Sequence, residues 1–190
     1  RARVIIYSRD RVRPQDLSTY EDLADPKWKG RVLVTSSGSV YNQSLLASVL
    51  AANGSEQALA WARGITANLA RSPQGGDRDQ ARAIAAGLAD VALVNTYYIG
   101  VLRASSDPAD VKVGNAVGVF FPNQNGRGAH INVSAIGVTR HAKNRAAAVR
   151  FIEYLTSPAV QARFATANHE YPVNLDINAS PMLREFGPFK

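Results

Sequence analysis

Twice in this sequence a short apolar run stops at small polar residues and gives way at once to a helical pattern. RVLVTS, residues 31–36, leads through the polar loop SSGSVYNQ into SLLASVLAAN, and DVALV, residues 90–94, leads through Asn95-Thr96 into YYIGVLRAS. A strand that feeds a helix across a tight polar corner is half of a helix-covered sheet unit. The rest of the chain reads the same way. Val4–Ser8 is a short buried strand, VGVFFP is another closed by Pro122, and AHINVSAIGVT alternates apolar and polar residues as a long strand would. Helices are expected from Asn42 to the Asn53-Gly54 stop, from Glu56 to Leu69, over RDQARAIAAG with Asp77 as cap, and over RAAAVRFIEYLT and SPAVQARFATAN. Ser18 and Glu21 have the spacing of a capping box. ADPKWKG, RSPQGGDRD and NQNGRG break the chain, and YPVN with the tail reads as irregular. Strands alternating with helices give the fold class α/β, with a sheet covered on both faces.

Composition closes off several functions. The 190 residues are 46% hydrophobic and 19% charged, enough for a packed core. No apolar run reaches the roughly 18 residues of a membrane span. The apolar run at the start, VIIY, is shorter than a signal-peptide core, so any cleaved signal is expected to lie outside this chain. With no cysteine, there are no disulfides, thiolate metal sites or cysteine nucleophiles. The three histidines, His130, His141 and His169, lack zinc-hydrolase spacing. There is no GxSxG, P-loop or paired acid and base, so the chain does not read as an enzyme. The net charge of +7 comes from scattered arginines without a basic run, which argues against nucleic acid and leaves open surface solubility or attraction of anions into a cleft.

The corner NTYY carries the most chemistry. If VALVN is a strand and YYIGVLRA a helix, Asn95 or Thr96 is the N-cap and Tyr97 and Tyr98 lie in the first turn. The free N–H groups and the positive helix end attract an anion there and favour a nearby phenolate. A free tyrosine ionises only near pH 10, so a phenolate at neutral pH needs a strong cation. A hard trivalent metal such as ferric iron is one, and phenolate is a hard oxygen donor. Tyr41, in SSGSVYNQS, occupies a second strand-to-helix corner, and Ser36, Ser37, Gly38 and Ser39 there offer N–H and hydroxyl groups to an anion. Taken alone, a Tyr-Tyr pair is more often packing than ligand, and the residues by themselves leave both readings open.

At these residues a resemblance becomes specific. VNTYYIG, SSGSVYNQSLLAS, LSTYEDLADPKWKGRV, QGGDRDQARAIAAGLADVA and FPNQNGRGAHINVSAIGVTRHAKN together resemble the periplasmic ferric-ion-binding proteins, the solute-binding components of bacterial iron ABC transporters. The motifs run in the same order along nearly the whole chain. The resemblance implies a periplasmic-binding-protein-like fold, the type II Venus flytrap, present here as one lobe plus part of the other. Residues 1–8 would be a hinge strand and residues 9–121 the second lobe, carrying the tyrosine ligands. Residues 122–174 would return to the first lobe, and 175–190 would be a tail back on the second. The N-terminal part of the first lobe, with its ligands, would be missing. By the same carry-over Tyr41, Tyr97 and Tyr98 are ferric-iron ligands. Ser37, Gly38, Ser39 and Asn95 match positions that hold a synergistic anion, carbonate or phosphate, in other branches; tyrosine-rich members can dispense with it. The implied partners are ferric iron, an inner-membrane ABC permease and the missing lobe, and the implied location is the periplasm. The competing reading is a solute-binding protein of the same fold for a non-metal anion such as phosphate, a phosphonate or an organic acid.

Other residues draw blander readings. His130 is expected on the long strand with a structural role. Glu170, in NHEYPVN, is expected to make a hinge hydrogen bond rather than hold metal. Asp77 and Arg78 either cap a helix or face the cleft, ordering the tyrosines or binding an anion. Arg127 is expected at the surface or hinge, and Trp28 and Trp61 in the core.

Overall fold

The computed structural model describes residues 1–174 and 176–190, so Leu175, where the tail was expected to begin, lies outside the described residues. The centre of the molecule is a mixed sheet of four strands: β1 (Arg3–Ser8), β2 (Val32–Leu33), β3 (Val91–Asn95) and β4 (Val117–Phe120), in the order β2-β3-β1-β4. β1 runs antiparallel to both neighbours, Arg3 facing Asn95 on one side and Ser8 facing Val117 on the other. β2 is parallel to β3.

Strand periodicity divides the core in two. From β1 and β3, Val4, Ile6, Ala92 and Val94 point to one face, and Ile5, Tyr7, Val91 and Leu93 to the other. The first face is covered by α3 (Asp77–Ala85), α4 (Thr96–Arg103) and α5 (Pro108–Ala116), through residues such as Ala81, Ile84, Ile99 and Leu102. The second is covered by α1 (Val40–Asn53), α2 (Ser55–Ala67) and the turns around Tyr20 and Trp28, through Leu45, Val49, Trp61 and Ile65. Both expected core tryptophans, Trp28 and Trp61, are buried here. Gly54, at φ +84°, ends α1 and starts α2, a conformation that costs glycine little and other residues more.

Several expectations need correction. The segment AHINVSAIGVT is not a strand: among the described residues it has no regular structure beyond one bridge, between Ile131 and Ala2. Alternation says which side chains share a face, but a ladder also needs a neighbouring backbone, and among the described residues little is on offer: Arg3 donates to the His130 carbonyl, Asn132 to the Arg1 carbonyl and Ala129 to the Lys190 carbonyl. Ser18 does not cap the turn at Glu21–Ala24; the Thr19 hydroxyl accepts from the Asp22 N–H, while Glu21 reaches Asn53, Asn123 and Arg127. Asp77 is not a cap but the first residue of α3, buried, while Asp79 accepts from the Gly76 N–H. α2 ends at Ala67 because Leu69 bridges to Val32 at the sheet edge. α5 was not anticipated, nor was α8 (Pro181–Arg184), which follows α6 (Arg145–Thr156) and α7 (Pro158–Ala167).

Candidate metal centre

The two corners fold as strand-to-helix junctions for ordinary reasons. Asn95 and Ser39 have extended backbones and precede the first residues of α4 and α1. Tyr97 and Tyr98 are therefore in the first turn of α4, and Tyr41 in the first turn of α1, all three half-buried. The rings of Tyr97 and Tyr98 lie 4.0 Å apart by centroid, tilted by 32°. Burial pushes the Tyr97 phenol well above its ordinary pKa, and the nearness of the Tyr98 and Tyr41 phenols raises it further. All three tyrosines singled out in the sequence thus converge on one another, although Tyr41 comes from a different corner.

Two cations flank the cluster. The Arg1 guanidinium lies 5.4 Å from the centre of the Tyr97 ring and is ion-paired with Glu170. The Arg3 guanidinium lies 5.9 Å from the centre of the Tyr41 ring. It is fully buried, donating from one nitrogen to Asp77 Oδ2 at 2.6 Å and from another to Asn42 Oδ1 at 2.7 Å. Burial pushes the Asp77 carboxyl up, against the opposing pull of Arg3 and of the Asn95 N–H.

The expected anion positions behave differently from one another. Asn95 is fully buried, and neither atom of its side-chain amide has a partner; the Thr96 hydroxyl is likewise buried and unpartnered. The Asn95 backbone N–H, however, is donated to Asp77 Oδ2 at 2.8 Å, so an internal carboxylate already sits at this helix start. In the other loop the N–H groups of Gly38 and Ser39 turn back onto Ser36, at 3.2 and 2.9 Å, and the Ser37 carbonyl accepts from Gln43. No hydrogen bond joins this loop to Asn95 among the described residues.

His130 Nε2 lies 2.7 Å from the Ser44 hydroxyl, and burial lowers its pKa. Arg127 pairs with Glu21 at the surface. Among the described residues no group of three or more His, Asp or Glu side chains could hold a metal. Sequence reasoning missed Arg1 and Arg3. A signal for Arg3 was available in RARVIIY, where one arginine stands at the head of a strand buried on both faces.

Residues 2–185 match the family described as bacterial extracellular solute-binding protein. Iron uptake protein A1 of Synechocystis is 54% identical over 190 residues, which is 100% of this chain and 53% of that protein. A Trichodesmium structure described as IdiA or FutA in complex with iron and citrate superposes with a TM-score of 0.97 at 49% identity, over 100% of this chain and 60% of that one. The ferric binding protein from Campylobacter jejuni gives a TM-score of 0.95 at 45% identity, over 100% of this chain and 60% of that one. The chain therefore spans about half the length of the curated relatives it matches.

Proposed function

Because this chain belongs to the bacterial extracellular solute-binding protein family, whose members here are carriers rather than enzymes, we propose that it forms the larger part of a ferric-iron carrier holding iron on the phenolates of Tyr41, Tyr97 and Tyr98. The observation that carries this reading is the meeting of three phenols from two helix starts. Three hard, anionic oxygen donors match a hard trivalent cation. Iron is the cargo: each phenol gives up its proton to bind it and takes the proton back on release. Residues 9–121 act as one lobe and 122–174 belong to the opposite lobe, so the iron lies between them. Delivery goes to an inner-membrane ABC permease from the periplasm.

A second reading is carriage of a non-metal anion. The unpartnered Asn95 amide and Thr96 hydroxyl favour it, and so does the net charge of +7. Against it stands Asp77, whose carboxylate occupies the Asn95 N–H that such an anion would use. The convergence of the tyrosines is left without a role.

The deciding experiment is a visible absorption spectrum recorded while a ferric chelate is added to the protein and to Tyr97→Phe. A phenolate-to-iron charge-transfer band that weakens in the variant is the expected result. Absence of any band, with phosphate or an organic acid bound equally by both proteins, would hand the site to the anion reading.

A further inference from the structure

Resting on the iron reading above, we propose that Arg3 and Asp77 are positioning residues of the iron site: together they lock the Tyr41 corner and the Tyr97 corner into one fixed geometry. Arg3 stands on the central strand and is paired across the sheet with Asn95. Its guanidinium forks. One arm holds Asp77 Oδ2 at 2.6 Å, and that same oxygen accepts from the Asn95 N–H at 2.8 Å, at the start of α4. The other arm holds Asn42 Oδ1 at 2.7 Å. Asn42 directly follows Tyr41, and its amide nitrogen donates to the Thr35 carbonyl at 2.8 Å and the Ser36 carbonyl at 3.1 Å, which ties down the loop before α1. One buried cation thus connects the starts of α1, α3 and α4.

Stability alone is a poor explanation for this pair. Arg3 and Asp77 are 0% and 3% exposed at the side chain, and removing two charges from water costs about as much as their attraction returns. Apolar residues of similar volume would hold the core as well. What they would not supply is direction: a planar fork fixes the angle between its two acceptors. Metal donors need that fixity, and residues that orient metal ligands cost roughly 10- to 100-fold in affinity when removed.

The test compares the wild type with Arg3→Met, Arg3→Lys and the apolar double variant Arg3→Met/Asp77→Leu. Iron affinity is measured against a competing chelator, and the charge-transfer band is recorded at iron saturation. Thermal melting by circular dichroism reports folding. The double variant, with no stranded charge, is expected to melt near the wild type, to bind iron about 10- to 100-fold more weakly and to show a shifted or weaker band per iron. Arg3→Lys, which keeps the charge but loses the fork, is expected to restore folding better than iron affinity. A folded double variant with wild-type band and affinity within twofold overturns the positioning role while leaving the iron site standing. A wild type without any band removes the iron reading itself, and the positioning role with it.

Discussion

The sheet and helices of residues 1–121 and the segment of residues 129–156 were built from similar apolar patterns but ended differently. In the first, every strand of the sheet has covered faces, and the two core clusters hold fully buried residues such as Val4, Ile5, Trp28 and Leu102. In the second, Val133 is 71% exposed and Phe151 54%, and α6 has no buried residue. The difference teaches that amphipathic pattern is a request for a partner rather than proof of one. Backbone and side chains in the first region answer each other, whereas within the described residues the second is covered only in part, with α7 beside α6 and Val133, Ile136 and Phe151 left exposed.

The comparison breaks first under hydrogen exchange. Amides of Ile5 and Val94, bonded in the centre of the sheet, should exchange only through global opening, with protection of about a thousandfold or more. Amides of 133–138 should exchange nearly as fast as an unfolded peptide; protection there above about tenfold would show that something covers the segment in solution. Next in size, Trp28→Ala is expected to lower stability by about 3–5 kcal/mol in urea unfolding. Phe151→Ala should stay within about 0.5 kcal/mol, and a larger loss would mean that α6 is packed.

The proposed iron site sharpens the contrast because it grows from the covered region. The raised pKa of Tyr97 means that its proton is present at neutral pH and must leave when iron binds. Lower pH supplies more competing protons, so affinity should fall by about tenfold per pH unit for each phenol proton displaced, measured by chelator competition between neutral and mildly acidic pH. The smallest effect expected is at Gly54. At φ +84°, Gly54→Ala should cost about 1 kcal/mol by thermal melting while leaving iron affinity unchanged.

How much of this was legible beforehand depends on what each signal is about. The strands VIIY and VALVN and the two polar corners were readable because short continuous apolar runs and corner residues are local facts. The three tyrosines could be nominated from their place in those corners, and the resemblance sharpened the choice. α5 was overlooked although Asp107 caps it and Pro108 opens it, because PADVKVGNA has little apolar periodicity to draw the eye. The segment AHINVSAIGVT was misread because no local pattern records whether a neighbouring strand exists. Arg3 escaped for a related reason: its partners, Asn42 and Asp77, are far off in the sequence and meet it only once the sheet has formed.

The position of β1 also has a consequence for the order in which the molecule can be made. β1 comes before β3 and β4 along the chain, yet it lies between them in the sheet. Arg3 waits for Asn95, and Ser8 waits for Val117. Until then VIIY is an apolar stretch with both edges open, the kind of segment that chaperones hold and that aggregates form around. Pairings so distant also slow the search for the native arrangement. The two tyrosine corners inherit that delay, since Tyr97 and Tyr41 acquire a common frame only when β1 is finally flanked.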